Sequence, residues 1–220
     1  TSNPSHAYIG RVAAVFNNNG AGVRGDLKSV VQAILLDPEA RTPAPGGSYG
    51  KQREPVIRFA HYLRALGARS SSGISSIHYL DSADDGLGQS PLLAPSVFNF
   101  FSPNFRQPGT VARAGLYSPE FQITTETSVV GALNFFANLI HNGGYGWDDN
   151  RLVLNTKPLE ALANDPVALV ARIDALFFGY QMGASTRERM TRMLAAMPSG
   201  SDYQRKERVQ AALIVTAMSP

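Results

Sequence analysis

The sequence predicts an all-α fold, a multi-helix bundle carrying one long ordered stretch without helices over about residues 68–123. Apolar residues recur at i, i+3, i+4 and i+7 in segment after segment, and Asn, Gly and Pro punctuate the ends of those segments. The middle of the chain breaks the pattern. It contains Ser70–Gly73, Asp84–Gly88 and a run of prolines from Pro91 to Pro119, yet it is rich in aromatic residues.

The first helix is expected over about Ser5–Asn17, with Ile9, Val12, Ala13 and Phe16 on one stripe, stopped by Asn18, Asn19 and Gly20. A second runs from about Asp26 to Leu36, with Leu27, Val30, Val31, Ile34 and Leu35 at the spacing of one buried face. Asp26 suits the helix dipole there, and Pro38 ends the helix. Residues 42–50 form a Pro/Gly loop. A third helix opens near Glu54 and turns Val56, Phe59, Ala60, Leu63 and Leu66 inward before Gly67.

A segment carrying Leu92, Leu93, Phe98, Phe101, Phe105 and Phe121 is too apolar for a solvated linker. It reads as an extended wrap across the bundle, with Phe98, Phe101 and Phe121 largely buried. Helices resume at about Thr125–His141, with Val129, Val130, Leu133, Phe136 and Ile140 in register. They continue at Pro158–Ala163, Pro166–Phe178, Thr186–Met197 and Asp202–Met218, the last burying Val209, Ala212, Leu213 and Thr216. Asp165 before Pro166 is a cap followed by a good first residue, and Ser185 with Glu188 spells a capping box. The 220 residues read as a single helical domain, with 68–123 as an aromatic and Pro-rich insertion.

Composition narrows the function. Hydrophobic residues make up 44% and charged residues 17%, so the chain is globular and its polar cover comes from Ser, Thr, Asn, Gln and Gly. Without cysteine there is no disulfide, thiolate nucleophile or Cys-ligated zinc. No apolar run reaches the roughly 18 residues that span a bilayer. The net charge is +3, and that excess lies between Ser185 and Arg208, where acids interleave with bases as on a solvated helix face. Such a surface does not track phosphates, and no nucleic-acid partner is expected.

Three places could carry chemistry. The Gly-rich turn from Asn17 to Asp26 feeds a helix start beside Arg24 and Lys28, where free amides could hold an anion; its plain reading is a tight helix–helix turn. Arg24-Gly25-Asp26 also spells an adhesion tripeptide, but Asp26 is better used at the helix start. Asp81, Asp84 and Asp85 beside Gly86 and Gly88 offer oxygens to a hard cation such as calcium, although the spacing is not that of an EF-hand and acidic turns are common. No other cofactor is expected. Glu120 and Glu126 flank a helix mouth and could divide acid and base roles, or could serve an ion pair and the helix dipole. The histidines His6, His61, His78 and His141 are scattered, and neither a zincin pair nor a nucleophile elbow exists.

Six ordered stretches resemble a known family: Val15–Gly20 leading into Val23–Leu27, Ala33–Arg41, Gly50–Pro55, Gly88–Pro91, Pro95–Phe101 and Pro119–Ile123. Together they are similar to the C-terminal half of the bacterial family catalogued as domain of unknown function 1800, across nearly the whole chain. The resemblance implies a longer parent protein with an N-terminal half beyond this sequence, and export to the periplasm or the cell exterior. It also implies a gene neighbour of phosphatase-superfamily character. It supplies no catalytic residue.

The leading reading is therefore a structural or interaction module of an exported bacterial protein. Its partner would be the N-terminal half, a second copy, or the phosphatase-like neighbour, docked on an exposed apolar patch. The alternative is the C-terminal part of a hydrolase-like enzyme whose site is shared with the N-terminal half. A third is a carbohydrate- or surface-binding module using Trp147, Tyr145 and Tyr117.

Overall fold

Helix starts fall on residues able to accept the first free amides. In the computed structural model, which describes residues 2–42 and 50–219, Ser5 caps α1 (His6–Asn17) and Asp26 caps α2 (Leu27–Leu36). Asp37 caps a short α3 (Pro38–Arg41), so Pro38 opens a helix as well as ending one. The loop expected over 42–50 lies, for residues 43–49, outside the described residues. The chain is predominantly helical, with only a two-stranded sheet among the described residues.

The chain divides into two units, each assembled from two separate stretches: Thr1–Gln52 with Phe101–Gln122, and Arg53–Phe100 with Ile123–Pro220. The first holds α1, α2, α3 and α5 (Thr110–Arg113). Asn3 ties its stretches together: its amide donates to the Tyr117 carbonyl at 2.9 Å and its oxygen accepts from the Tyr117 amide at 2.7 Å.

The second unit holds the hydrophobic core. Its helices are α4 (Pro55–Ala65), α6 (Glu126–His141), α7 (Lys157–Glu160), α8 (Pro166–Ile173), α9 (Ala184–Ala195) and α10 (Asp202–Met218). Strand β1 (Gly144–Tyr145) pairs antiparallel with β2 (Leu152–Val153). Phe59, Phe135 and Phe136 pack edge to face, and Tyr62 lies 4.6 Å from the Phe177 ring. Buried Tyr62, its hydroxyl pushed up by desolvation, donates to the Leu213 carbonyl at 2.8 Å and so joins α4 to α10. Arg208, also buried, donates to the carbonyls of Ala163 and Met197, which lie just past the C-terminal ends of α7 and α9.

Four expectations are corrected. In α6 the buried side is Ser128, Gly131, Ala132, Phe135, Phe136, Leu139 and Ile140, while Val129, Val130 and Leu133 face solvent. Small Gly131 and Ala132 let backbone approach, which turns the helix away from its β-branched stripe. Gly183, not Ser185, precedes α9, and no side chain caps that helix. Helix α8 ends at Ile173, and a π-helical turn (Asp174–Phe178) continues it. The buried Asp174 carboxylate accepts from the Met182 amide at 2.9 Å and pairs with Arg187 at 2.5 Å, folding the chain back after left-handed Gly179.

The fourth correction concerns the aromatic stretch. Phe98 is 60% exposed, Leu92 and Val97 are fully open, and Phe101 and Phe121 are only half-buried. Residues 68–100 belong to the second unit and 101–122 to the first. What it buries is Leu80 and Leu87, which the Leu87 and Gln89 amides fasten to the Leu80 carbonyl.

Candidate interaction surface

The first unit presents apolar side chains left exposed among the described residues. Helices α1 and α2 form a hairpin whose turn is built by side chains. Asn18 accepts from the amides of Gly20 and Gly22, and Asn19 from those of Ala21 and Val23. Asp26 accepts from the amides of Lys28 and Ser29, the Ser29 hydroxyl at 2.7 Å and the Asn19 amide at 2.8 Å. Led by the Asn19 bond, these donors hold its carboxyl down at about 2.

Polar contacts lock the open end of the hairpin too. Arg11 grips Asp37 in a two-pronged pair at 2.7 and 2.8 Å, and the Ser5 amide and hydroxyl both donate to Glu39. The Arg11 guanidinium lowers the Asp37 carboxyl, and chiefly the Ser5 hydroxyl lowers that of Glu39. Between these ends the Tyr8 hydroxyl donates to the Ile34 carbonyl at 2.8 Å.

The helix face so fixed is apolar and open. No residue of α2 is buried: Leu27 is 68% and Leu35 63% exposed, and Val31, Ile34 and Leu36 also face out. On α1 the expected stripe is open at Ile9 and Phe16. Among the described residues of this unit, Tyr8 is the only large apolar side chain classed as buried. The sequence periodicity locates the stripe correctly, but among the described residues it lies open and not in a core. A groove of about 690 Å³ runs along the hairpin, lined by Tyr8, Ile9, Val12, Phe16, Ile34 and Leu35.

The residues singled out for chemistry occupy separate places. Arg24 lies over the Phe16 ring at 5.7 Å, Lys28 is exposed in the first turn of α2, and the amides of the turn are occupied by Asn18, Asn19 and Asp26. Glu120, in a 3₁₀ turn (Pro119–Ile123), is buried and pairs with Lys51 at 2.6 Å within the first unit. Glu126 stands in the first turn of α6, where its charge meets the helix dipole. Asp84 accepts from the Ser82 hydroxyl at 2.7 Å. No group of three metal-ligating side chains gathers among the described residues. His61 Nε2 meets the Leu176 carbonyl at 2.9 Å and must donate, so Nδ1 accepts from Arg53.

Fold and surface together define a predominantly helical protein whose leading feature is an uncovered apolar helical hairpin. The chain belongs to the family described as "Protein of unknown function (DUF1800)", which it matches over residues 1–220. No curated protein and no solved structure matches it. Among the described residues no helix is long and apolar enough to cross a membrane.

Proposed function

We propose that this chain is an interaction module that docks a helical protein partner along the open face of α1 and α2. One observation carries the reading: a side-chain-locked hairpin keeps Ile9, Phe16, Leu27, Val31 and Leu35 in water without a core of its own beneath them. Burying these five side chains would contribute roughly 8–15 kcal/mol. That is on the scale of the about 4–15 kcal/mol that association costs. The charge-poor composition, with polar cover from Ser, Thr, Asn, Gln and Gly, fits an exported setting, and the phosphatase-like gene neighbour is the first partner to test.

The test is co-purification of the chain with that neighbour expressed alongside it, with sedimentation of the chain alone to register self-association. A complex, with either the neighbour or a second copy, that is lost in Val31→Gln/Leu35→Gln supports the docking face. A complex that survives the double substitution, or a chain that stays monomeric and captures nothing, overturns it. A specific interface should bury more than about 1,000 Å².

A further inference from the structure

A second exposed feature lies wholly within the other unit and is independent of the hairpin. Trp147, the single tryptophan of the protein, is 60% exposed although two tyrosines flank it. The Tyr79 ring meets it edge to face at 5.9 Å and 76°, and the Tyr145 ring lies 6.4 Å away. Tyr79 is itself 76% exposed. These rings support one another's edges while leaving aromatic surface open to water.

The backbone beneath is held in an unfavourable form to do so. Tyr79 has φ +57° and Asp148, next to Trp147, has φ +48°. Both are left-handed conformations that side chains with a Cβ adopt reluctantly, and such strain persists only where surrounding contacts enforce it. Those contacts are present. The Tyr145 hydroxyl donates to the His78 carbonyl, Ser76 and His78 bond at 2.6 Å, and Ser71 and Ser72 tie down Asp149 and Asn150. The platform stands on pinned loops and the β1–β2 pair, which is how a site is kept preorganised.

The chemistry of the rim selects the ligand. Asp148 and Asp149 follow Trp147 directly in the chain and both are exposed, so this segment offers carboxylates where a phosphate-bearing ligand would need cations. The Asp148 side chain is exposed, one residue along the chain from the indole, and its oxygens can only accept. A pyranose ring has the complementary surface: a flat C–H face to lie on the negative face of an aromatic ring, and equatorial hydroxyls to donate to a carboxylate.

We propose that Trp147, braced by the Tyr79 edge, forms a carbohydrate-binding platform for a neutral polysaccharide, with Asp148 accepting from sugar hydroxyls. Tyr117 stacks on Arg106 at 4.2 Å within the first unit.

The lone tryptophan makes the site its own reporter. Trp147 emission is recorded on the full chain during titration with cellohexaose, chitohexaose and xylohexaose, each to about 10 mM, a range that captures weak binding. At least one sugar should produce a saturable blue shift. Tyr79→Gly, which removes a supporting ring but welcomes the left-handed backbone, should weaken it about tenfold without lowering the melting temperature. Asp148→Asn should weaken it less, and Tyr117→Ala should change nothing. Should Tyr79→Gly fail to fold, pull-down of Trp147→Phe and the parent chain on insoluble cellulose and chitin gives the second reading, with loss of retention expected. Emission unmoved by all three sugars, an equal response in Tyr79→Gly, or a shift that follows protein concentration without sugar would overturn the proposal; the last marks a protein-docking surface instead.

Discussion

Gly131, midway along α6, lies directly against the main chain at Ala83. A Cβ at position 131 would stand 3.0 Å from the carbonyl carbons of Ala83 and Asp84, and closer still to the Ala83 oxygen. The obstacle is backbone, which cannot swing aside as a side chain would. The loop that carries Leu80 and Leu87 into the core is thus seated on the one residue of α6 small enough to receive it.

Gly131→Ala is accordingly expected to destabilise the protein by about 1–3 kcal/mol, the scale of overpacking, despite the better helix propensity of alanine. Gly10→Ala in α1, where nothing lies within 4 Å of the added carbon, should stabilise by about 0.5–1 kcal/mol. Urea unfolding of the two variants checks both signs at once. Equal effects would show that the loop yields.

The hairpin turn should resist acid. Asp26 titrates at about 2, below its ordinary 3.8, so its caps contribute stability above 3.8 that disappears as pH falls through about 2. Carboxyl chemical shifts followed by NMR should place its midpoint there. Asn19→Ala removes the largest cause and should return the midpoint toward 3.8. A midpoint unchanged by that substitution would disprove the assignment of the Asn19 bond as the leading cause.

Arg208 acts through main-chain acceptors. Arg208→Met should leave the Ala163 and Met197 carbonyls buried without donors, costing about 2–4 kcal/mol with the apolar stem retained. Amide exchange at the ends of α7 and α9 should rise more than at the centre of α6. Uniform acceleration would point to general loss of packing instead.

Asp174 holds the chain reversal after the π-helical turn. Asp174→Ala strips the Met182 amide and Arg187 of their acceptor and should cost about 1–3 kcal/mol in thermal unfolding. Arg187→Ala should cost less, because the guanidinium is partly solvated and the Met182 amide keeps its bond. The reverse order would indicate that the ion pair, not the amide, fixes the turn.

Local signals were read from the sequence with little loss. Asp26, Asp165 and the Asn18-Asn19 stop stand where their side-chain chemistry requires, and α10 buries the expected Val209, Ala212, Leu213 and Thr216. Periodicity marks an apolar side but not its neighbour, which is why α2 looked buried and is not. On α6 a mixed pattern offered two faces, and only the approach of Ala83 decides for Gly131 and Ala132. The Trp147 rings were noticed as residues, but their grouping needed Tyr79, sixty-eight positions earlier and in a left-handed conformation that composition does not announce. Arg208 looked like one more solvated base in an alternating helix, and no pattern marks a carbonyl as an arginine's partner.

The bond from Tyr62 to the Leu213 carbonyl spans 151 residues, and it has a consequence for the order of events during synthesis. A ribosome adding about 5–20 residues per second delivers α10 on the order of ten seconds after α4. Through that interval Tyr62, Phe59 and Leu63 must wait with their final neighbours unmade, a long exposure for sticky side chains. Cells making this protein therefore have reason to keep a holding chaperone near the nascent chain, and slowing translation between α4 and α10 should lower the soluble yield.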